Sequence, residues 1–292
     1  MSTTDLAGHK GLKTGALGLV SSVVVGMAST APAYSLAAAL GFIVLGGETL
    51  VGFQAPGIIV LAFVPMFFIS VAYKELNRVE PDCGTVFTWA ARAFGTRTGW
   101  MGGWALIAAD IIVMANLAQI AGSYSFTFVG EVFNNPEIGA ISGDVFWSTL
   151  AGLIWIFVMT WIAYRGVEIS AKLQYWLLAI EVVILIAFAS VALFRVFSGN
   201  GIAESSMPEL GWFNPFTLPF ETAIAPAVLT ALFIYWGWDT AVAINEETSN
   251  PEKTPGNAAV ISTLLLVVTY LLVTVGAVAF AGVGETGIGL GN

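Results

Sequence analysis

Seven stretches of this sequence are apolar over about the 20 residues that a helix needs to cross a bilayer. They lie near 16–44, 51–73, 98–128, 145–164, 167–197, 222–246 and 256–282. No other feature limits the fold as tightly. Water is absent from hydrocarbon, so every backbone N–H and C=O there must find its partner inside the protein, and such stretches have to be helices. Charge is scarce enough to permit this, since only 10% of the residues are charged. All seven carry small residues where helices can pack closely. The expected fold is an all-α membrane protein with seven transmembrane helices.

Orientation follows from the basic residues. With the loops assigned alternately to the two sides, Lys10, Lys13, Lys74, Arg78, Arg92, Arg97, Arg165, Lys172 and Lys253 fall on the side of the N-terminus, and only Arg195 falls near the other. Cytoplasmic loops carry the excess of Lys and Arg, so the N-terminus is expected in the cytoplasm of a cell with this protein in its inner or plasma membrane. The opposite side carries Glu48, Glu131, Glu137, Asp144, Glu204 and Glu209. A net charge of −9 argues against nucleic acid as a partner. The lone Cys83 leaves no disulfide within the chain. The polar start at 1–14 has no short apolar run with a cleavage site, so no signal peptide is expected.

Two of the seven stretches are interrupted in the middle, and they are the first and the sixth. The first breaks at 26–32 (GMASTAP), which is small, polar and stopped by Pro32. The second breaks at 235–240 (YWGWDT). Interrupted helices are tolerated at membrane depth only where protein or a cavity covers the freed backbone. A pair of them in corresponding positions points to the midplane site of a secondary transporter. The N-terminus of a second half-helix offers N–H groups and partial positive charge, and the C-terminus of a first half offers carbonyls. Ala28, Ser29, Thr30, Ala31 and Pro32 on one side, with Phe233 and Trp236 on the other, can therefore meet the carboxylate and ammonium of one small molecule. Segment two holds Pro56 and Pro65 and is expected to bend. A short amphipathic helix is expected near 84–95, and an ordered external cap at 198–221 with Trp212, Phe213 and Phe216.

Three stretches carry a resemblance to the amino acid–polyamine–organocation permeases. They are 73–89 (YKELNRVEPDCGTVFTW) continuing to Trp104, 233–239 (FIYWGWD) and 246–255 (EETSNPEKTP). They are similar to that family's loop between helices two and three, its broken sixth helix and the loop after it, in the same order. The resemblance implies two inverted five-helix repeats. Here 16–197 would be the first repeat, 222–282 the start of the second, 1–15 a cytoplasmic tail and 283–292 a truncated external end. Helices eight to ten would then be missing, which implies an incomplete permease. Two positions depart from the family pattern: Thr30, Ala31 and Pro32 stand where it is glycine-rich, and Gly256 where it often has a basic residue. Pro32 has no N–H to give, and the hydroxyls of Ser29 and Thr30 are the expected substitutes.

The resemblance assigns Phe233 as the gate over bound substrate, with a cation–π contact to an ammonium, and Trp236, Gly237 and Trp238 to the side-chain pocket. Ordinary helix packing is the alternative for these aromatics. Three carboxylates stand inside spans, where they are costly and function is the default expectation. Glu181 takes the place where some proton-coupled relatives have a lysine. It either carries a coupling proton, helps hold a cation such as sodium, or is a buried, protonated glutamate bonded to a neighbouring helix. Asp110, on a face with Asn116 and Gln119, contacts a substrate amine or pairs with another helix. Asp239 and Pro32 are expected to hold the breaks in shape. Loop charges Glu75, Arg78, Glu80, Glu246, Glu247 and Lys253 form gating ion pairs or a solvated face.

Other classes fit poorly. One histidine, His9, and one cysteine give no nucleophile–base pair, metal cluster or cofactor site, so no enzyme is expected. A retinal protein needs a lysine in its seventh helix, and 255–282 has none. No repeated filter motif suggests a channel. The reading is a permease for amino acids or related amines, coupled to protons or exchanging. A non-transporting fragment with a binding or regulatory role is the alternative.

Overall fold

The computed structural model describes residues 13–291. His9, Lys10 and the rest of the tail up to residue 12 lie outside them. In chain order the helices are α1 (Leu19–Ser29), α2 (Pro32–Leu45), α3 (Ala55–Val79), α4 (Val86–Phe94), α5 (Thr96–Val132), α6 (Pro136–Ala140), α7 (Val145–Tyr164), α8 (Val167–Phe197), α9 (Ala225–Ile234), α10 (Thr240–Ala243) and α11 (Thr254–Ala281). Among the described residues the only β pairing is one isolated bridge, Leu17 with Thr248. Among the described residues, six helical stretches are long and apolar enough to cross a membrane. The seventh expected span is in pieces: a π-helical turn at Phe220–Ile224, then α9, a turn and the four residues of α10. The protein is an all-α, multi-pass membrane protein.

The described chain divides into two compact units, one formed by the residues up to Cys83 with Ala171 onward, the other by Gly84–Ser170. In the first, α11 packs along α3 and α1, and α9 packs on α2 and α3. The core is Ile43, Ile58, Ile59, Ala231, Ile234, Tyr235, Leu266 and Tyr270, each fully buried. Side chains are small where helices touch. A Cβ on Gly26 would stand 2.8 Å from the Ser262 hydroxyl and 3.1 Å from Ala241, so α1 meets α10 and α11 at a glycine, as membrane helices do when packing rather than hydrophobic exclusion holds them. Pro65 sits inside α3, which continues past it. Between α8 and α9 the chain folds into short 3₁₀ turns, where buried Trp212 stacks on Phe53 at 5.1 Å.

The second unit is α5 packed against α7, with α4 folded back on α5. Gly122 and Gly152 face the partner backbone at the crossing: a Cβ on either would strike the carbonyl of Ser148 or Ala118. Asp144 caps α7 by accepting from the Phe146 and Trp147 N–H groups at 2.9 and 3.2 Å, satisfying donors that the first turn leaves free. Trp155 donates to Ser125 Oγ at 2.9 Å.

Candidate functional site

The first break is a single turn. Helix α1 ends at Ser29, Thr30 stays near-helical, and Ala31 takes φ 45°, ψ 69°. That left-handed conformation costs a residue with a Cβ about 1–2 kcal/mol. Pro32 then opens α2 at its first position, where a missing N–H costs nothing and the fixed φ suits the helix. The turn uses most of its own donors. Thr30 N–H goes to Met27 O at 3.1 Å, Ala31 N–H to Ala28 O at 3.0 Å and Ser35 N–H to Ala31 O at 2.9 Å. The Thr30 hydroxyl donates to Met27 O at 2.7 Å and the Ser35 hydroxyl to Thr30 O at 2.6 Å.

Ala33 is the first backbone donor of α2 after the proline, and it gives its N–H to Glu181 Oε1 of α8 at 2.6 Å. The positive end of α2 is therefore already closed by a carboxyl group of the protein itself. Glu181 was expected from its place inside a span. Its partner was not, because the donor lies one residue beyond Pro32 and outside the expected set of 28–31.

In the second break, α9 stops at Ile234, and the next two residues close tight turns, Tyr235 N–H to Leu232 O at 3.2 Å and Trp236 N–H to Phe233 O at 3.1 Å. Gly237 follows with φ 120°. A Cβ there would lie 2.5 Å from the Ser29 carbonyl oxygen and 3.0 Å from Thr30 N. Only glycine permits both the dihedral and the approach, and this approach brings the two breaks into direct contact. The carbonyl end of α9 is closed by a neutral group, since the Tyr270 hydroxyl of α11 donates to Ile234 O at 2.6 Å. The hydroxyls of Thr30 and Ser35 gather around the same phenol. Tyr235 is fully buried, edge-on to Tyr270 at 5.1 Å, and donates to Ile59 O at 3.2 Å. Tyr270 and Tyr235 were missed, because an aromatic within an apolar run carries no signal of where its hydroxyl ends.

Phe233 is half exposed and meets Trp236 edge to face at 6.1 Å. Trp238 is buried, edge-on to Tyr73 at 5.2 Å, and its indole N–H has no hydrogen-bond partner among the described residues. Asp239 lies at the start of α10, where the Ala243 N–H returns to its carbonyl at 3.2 Å. Asp110 belongs to the second unit. There it lines an apolar cavity of about 360 Å³ between α5 and α7, with Met114, Leu117, Trp155, Met159 and Thr160.

Beyond the end of α10, a buried polar network holds the unit together. Asn245 donates to Asn77 Oδ1 at 2.8 Å, Asn77 donates to Pro251 O at 2.7 Å, and Glu246 Oε1 accepts the Cys83 N–H at 3.2 Å. Asp82, Cys83 and Glu246 bring ligand-type atoms within 4.8 Å of one another, a grouping their sequence separation hides. Leu17 joins this end: its N–H goes to Glu247 O at 3.1 Å and its carbonyl accepts from Ser249 at 2.8 Å. Of the loop charges, Arg78 pairs with Glu75 at 2.7 Å on the same exposed helix face, a pair of small energetic weight.

Comparison with known proteins identifies the family. The family model described as "Amino acid permease" matches residues 21–288. The chain is 27% identical over 249 residues to the branched-chain amino acid permease BcaP of Lactococcus lactis, covering 79% of this chain and 50% of that protein. It is 23% identical over 214 residues to the aromatic amino acid transport protein AroP of Escherichia coli K12, covering 72% and 43%. It is 24% identical over 243 residues to the methylthioribose transporter of Bacillus subtilis, covering 80% and 50%. The chain thus spans about half the length of the curated relatives it matches.

Proposed function

The chain belongs to the amino acid permease family, and on that premise we propose that the protein is a secondary active transporter of amino acids or related amines, working by alternating access around a site between its two broken segments. The observation that carries this reading is the contact of the breaks, with Gly237 against the Ser29–Thr30 backbone. There the end of α1 lies against the turn that ends α9, inside one packed unit. In a continuous helix neither end would exist. The names of the similar proteins, a branched-chain and an aromatic amino acid carrier, support a small organic substrate of this class.

In this reading 16–197 is the first five-helix repeat and 222–282 opens the second. The protein lies in the inner or plasma membrane with its N-terminus in the cytoplasm, as the distribution of Lys and Arg favours. Ser29, Thr30, Trp236 and Trp238 border the substrate, Phe233 is the gate, and Pro32, Gly237 and Asp239 hold the breaks open. Glu181 carries the coupling proton, and its position supports this: it is a carboxylate within a span, bonded to the first break itself. The network of Asn77, Asn245 and Glu246 with the Leu17 bridge is the inner gate in its closed form.

Uptake by the full-length protein in proteoliposomes tests this. A radiolabelled panel of amino acids and polyamines is offered with and without an imposed pH gradient. Accumulation of at least one compound, enhanced by the gradient, is the expected result. Enhancement by sodium alone would move the coupling away from a proton on Glu181. If nothing accumulates under any gradient, a binding or regulatory role replaces transport.

A further inference from the structure

We infer that Glu181 takes the place of a substrate carboxylate, so that the site accepts an amine with no carboxylate of its own. This rests on the transport reading above and names the substrate class of that same site. A zwitterionic amino acid would need the N–H end of α2 for its carboxylate, and the first donor of that end is used. Pro32 has no donor, Ala33 gives its N–H to Glu181 at 2.6 Å, Ser35 gives its own to Ala31, and the Thr30 and Ala31 N–H groups close the turn before it.

The charge balance points the same way. The three segments that meet at the breaks, at 16–44, 222–246 and 256–282, contain no Lys, Arg or His. The basic residues of α8, Lys172 and Arg195, lie toward its ends, away from Glu181 near its middle. When Glu181 is ionised, a substrate carboxylate would therefore arrive beside a resident charge of the same sign with no cation from these segments to separate the two, and like charges at that range repel strongly where water is scarce. An ammonium meets the opposite situation. It pairs with Glu181, and the half-exposed ring of Phe233 offers the face that attracts a cation. Tyr270 already satisfies the Ile234 carbonyl, so the Glu181 carboxylate becomes the main partner for the ammonium.

Matched pairs that differ only in the carboxylate test this directly: isoamylamine with leucine, phenethylamine with phenylalanine, and cadaverine with lysine. Equilibrium binding is measured on the purified full-length protein. In the natural protein the amine of at least one pair should bind about tenfold or more tighter than its amino acid, the scale of a charge-assisted hydrogen bond gained or lost. Glu181→Gln keeps an acceptor for Ala33 but removes the charge. It should weaken amine binding by about tenfold without improving amino acid binding. Glu181→Ala frees the Ala33 N–H and should reverse the preference in favour of the amino acid. Should that variant fail to fold, the natural protein and Glu181→Gln decide the matter alone. Amino acids binding as tightly as their amines in the natural protein would overturn the inference while leaving transport intact. If neither member of any pair binds, the inference falls together with the site reading beneath it.

Discussion

The two helix breaks solve one physical problem in opposite ways. At the first, the exposed end is an N-terminus, its polarity is positive, and the protein closes it with a carboxylate, Glu181, held to Ala33. At the second, the exposed end is a C-terminus, its polarity is negative, and the protein closes it with a neutral phenol, Tyr270, bonded to Ile234. Backbone strain is divided in the same manner. The first break holds an alanine at φ 45°, which a Cβ tolerates poorly, while the second uses Gly237 at φ 120°. The lesson is that the polarity of a half-helix end selects its cap, and the cap determines whether the break is fixed or responsive. A phenol closes a carbonyl and leaves no net charge behind. A carboxyl group closes an N–H and still has a second oxygen to offer, so under the proposed mechanism the first break is the one that answers to a proton or a ligand.

Variants can break or sharpen this contrast. The largest effect is expected from Gly237→Val, which places a branched side chain against the Ser29 carbonyl at a dihedral valine avoids. Loss of about 3 kcal/mol or more should appear as a large drop in folded, monodisperse protein by size-exclusion and thermal melting. A normal melt would mean that the contact between the breaks is loose. Tyr270→Phe removes the cap of the second break and strands a buried carbonyl, for about 1–3 kcal/mol of stability. Because this cap is neutral, the loss should be the same at any pH between 5 and 8, read as parallel melting curves. Glu181→Gln keeps the hydrogen bond and changes only the charge. Its melting temperature should stay close to that of the natural protein, while gradient-driven uptake falls about a hundredfold and far more than binding does. Equal losses in both would remove its coupling role.

Smaller effects follow at the edges of the two breaks. Phe233→Ala should reduce uptake several-fold, about one kcal/mol in the transport barrier, without changing how much protein reaches the membrane. Unchanged uptake would return Phe233 to ordinary packing. Ala31→Gly relieves a left-handed alanine but frees the unfolded chain, so the net gain should be only about 0.5 kcal/mol. Loss of stability instead would show that the Ala31 methyl packs productively.

How much of this was legible beforehand differs between backbone and caps. Small, polar and proline-marked windows announced both breaks, because an apolar run that suddenly admits Ser29, Thr30, Pro32 and Asp239 breaks the logic of a lipid-facing helix. The all-α membrane fold was legible for the same reason. Glu181 stood out as a charge where charge is expensive. What the sequence could not convey was pairing. Ala33 and Glu181 are separated by 148 positions, and nothing about an alanine suggests a donor. Tyr270 lies in the uninterrupted run of α11, where its ring looks like one more apolar contact. Asn77 and Asn245 sit among loop charges that read as a surface, yet both are fully buried and bonded to each other. The hydrophobic pattern records which side chains leave water, whereas the partner of each polar atom is set by three-dimensional packing.

The short bridge at Leu17 also has a consequence in time. Its two backbone hydrogen bonds tie the residue just before the first helix to Glu247 and Ser249. The amides of Leu17 and Ser249 can trade their hydrogens for solvent deuterium only when that tie lets go. Their exchange rates therefore count the openings at the N-terminal end of the first helix, and a ligand that holds this end shut would slow both clocks together.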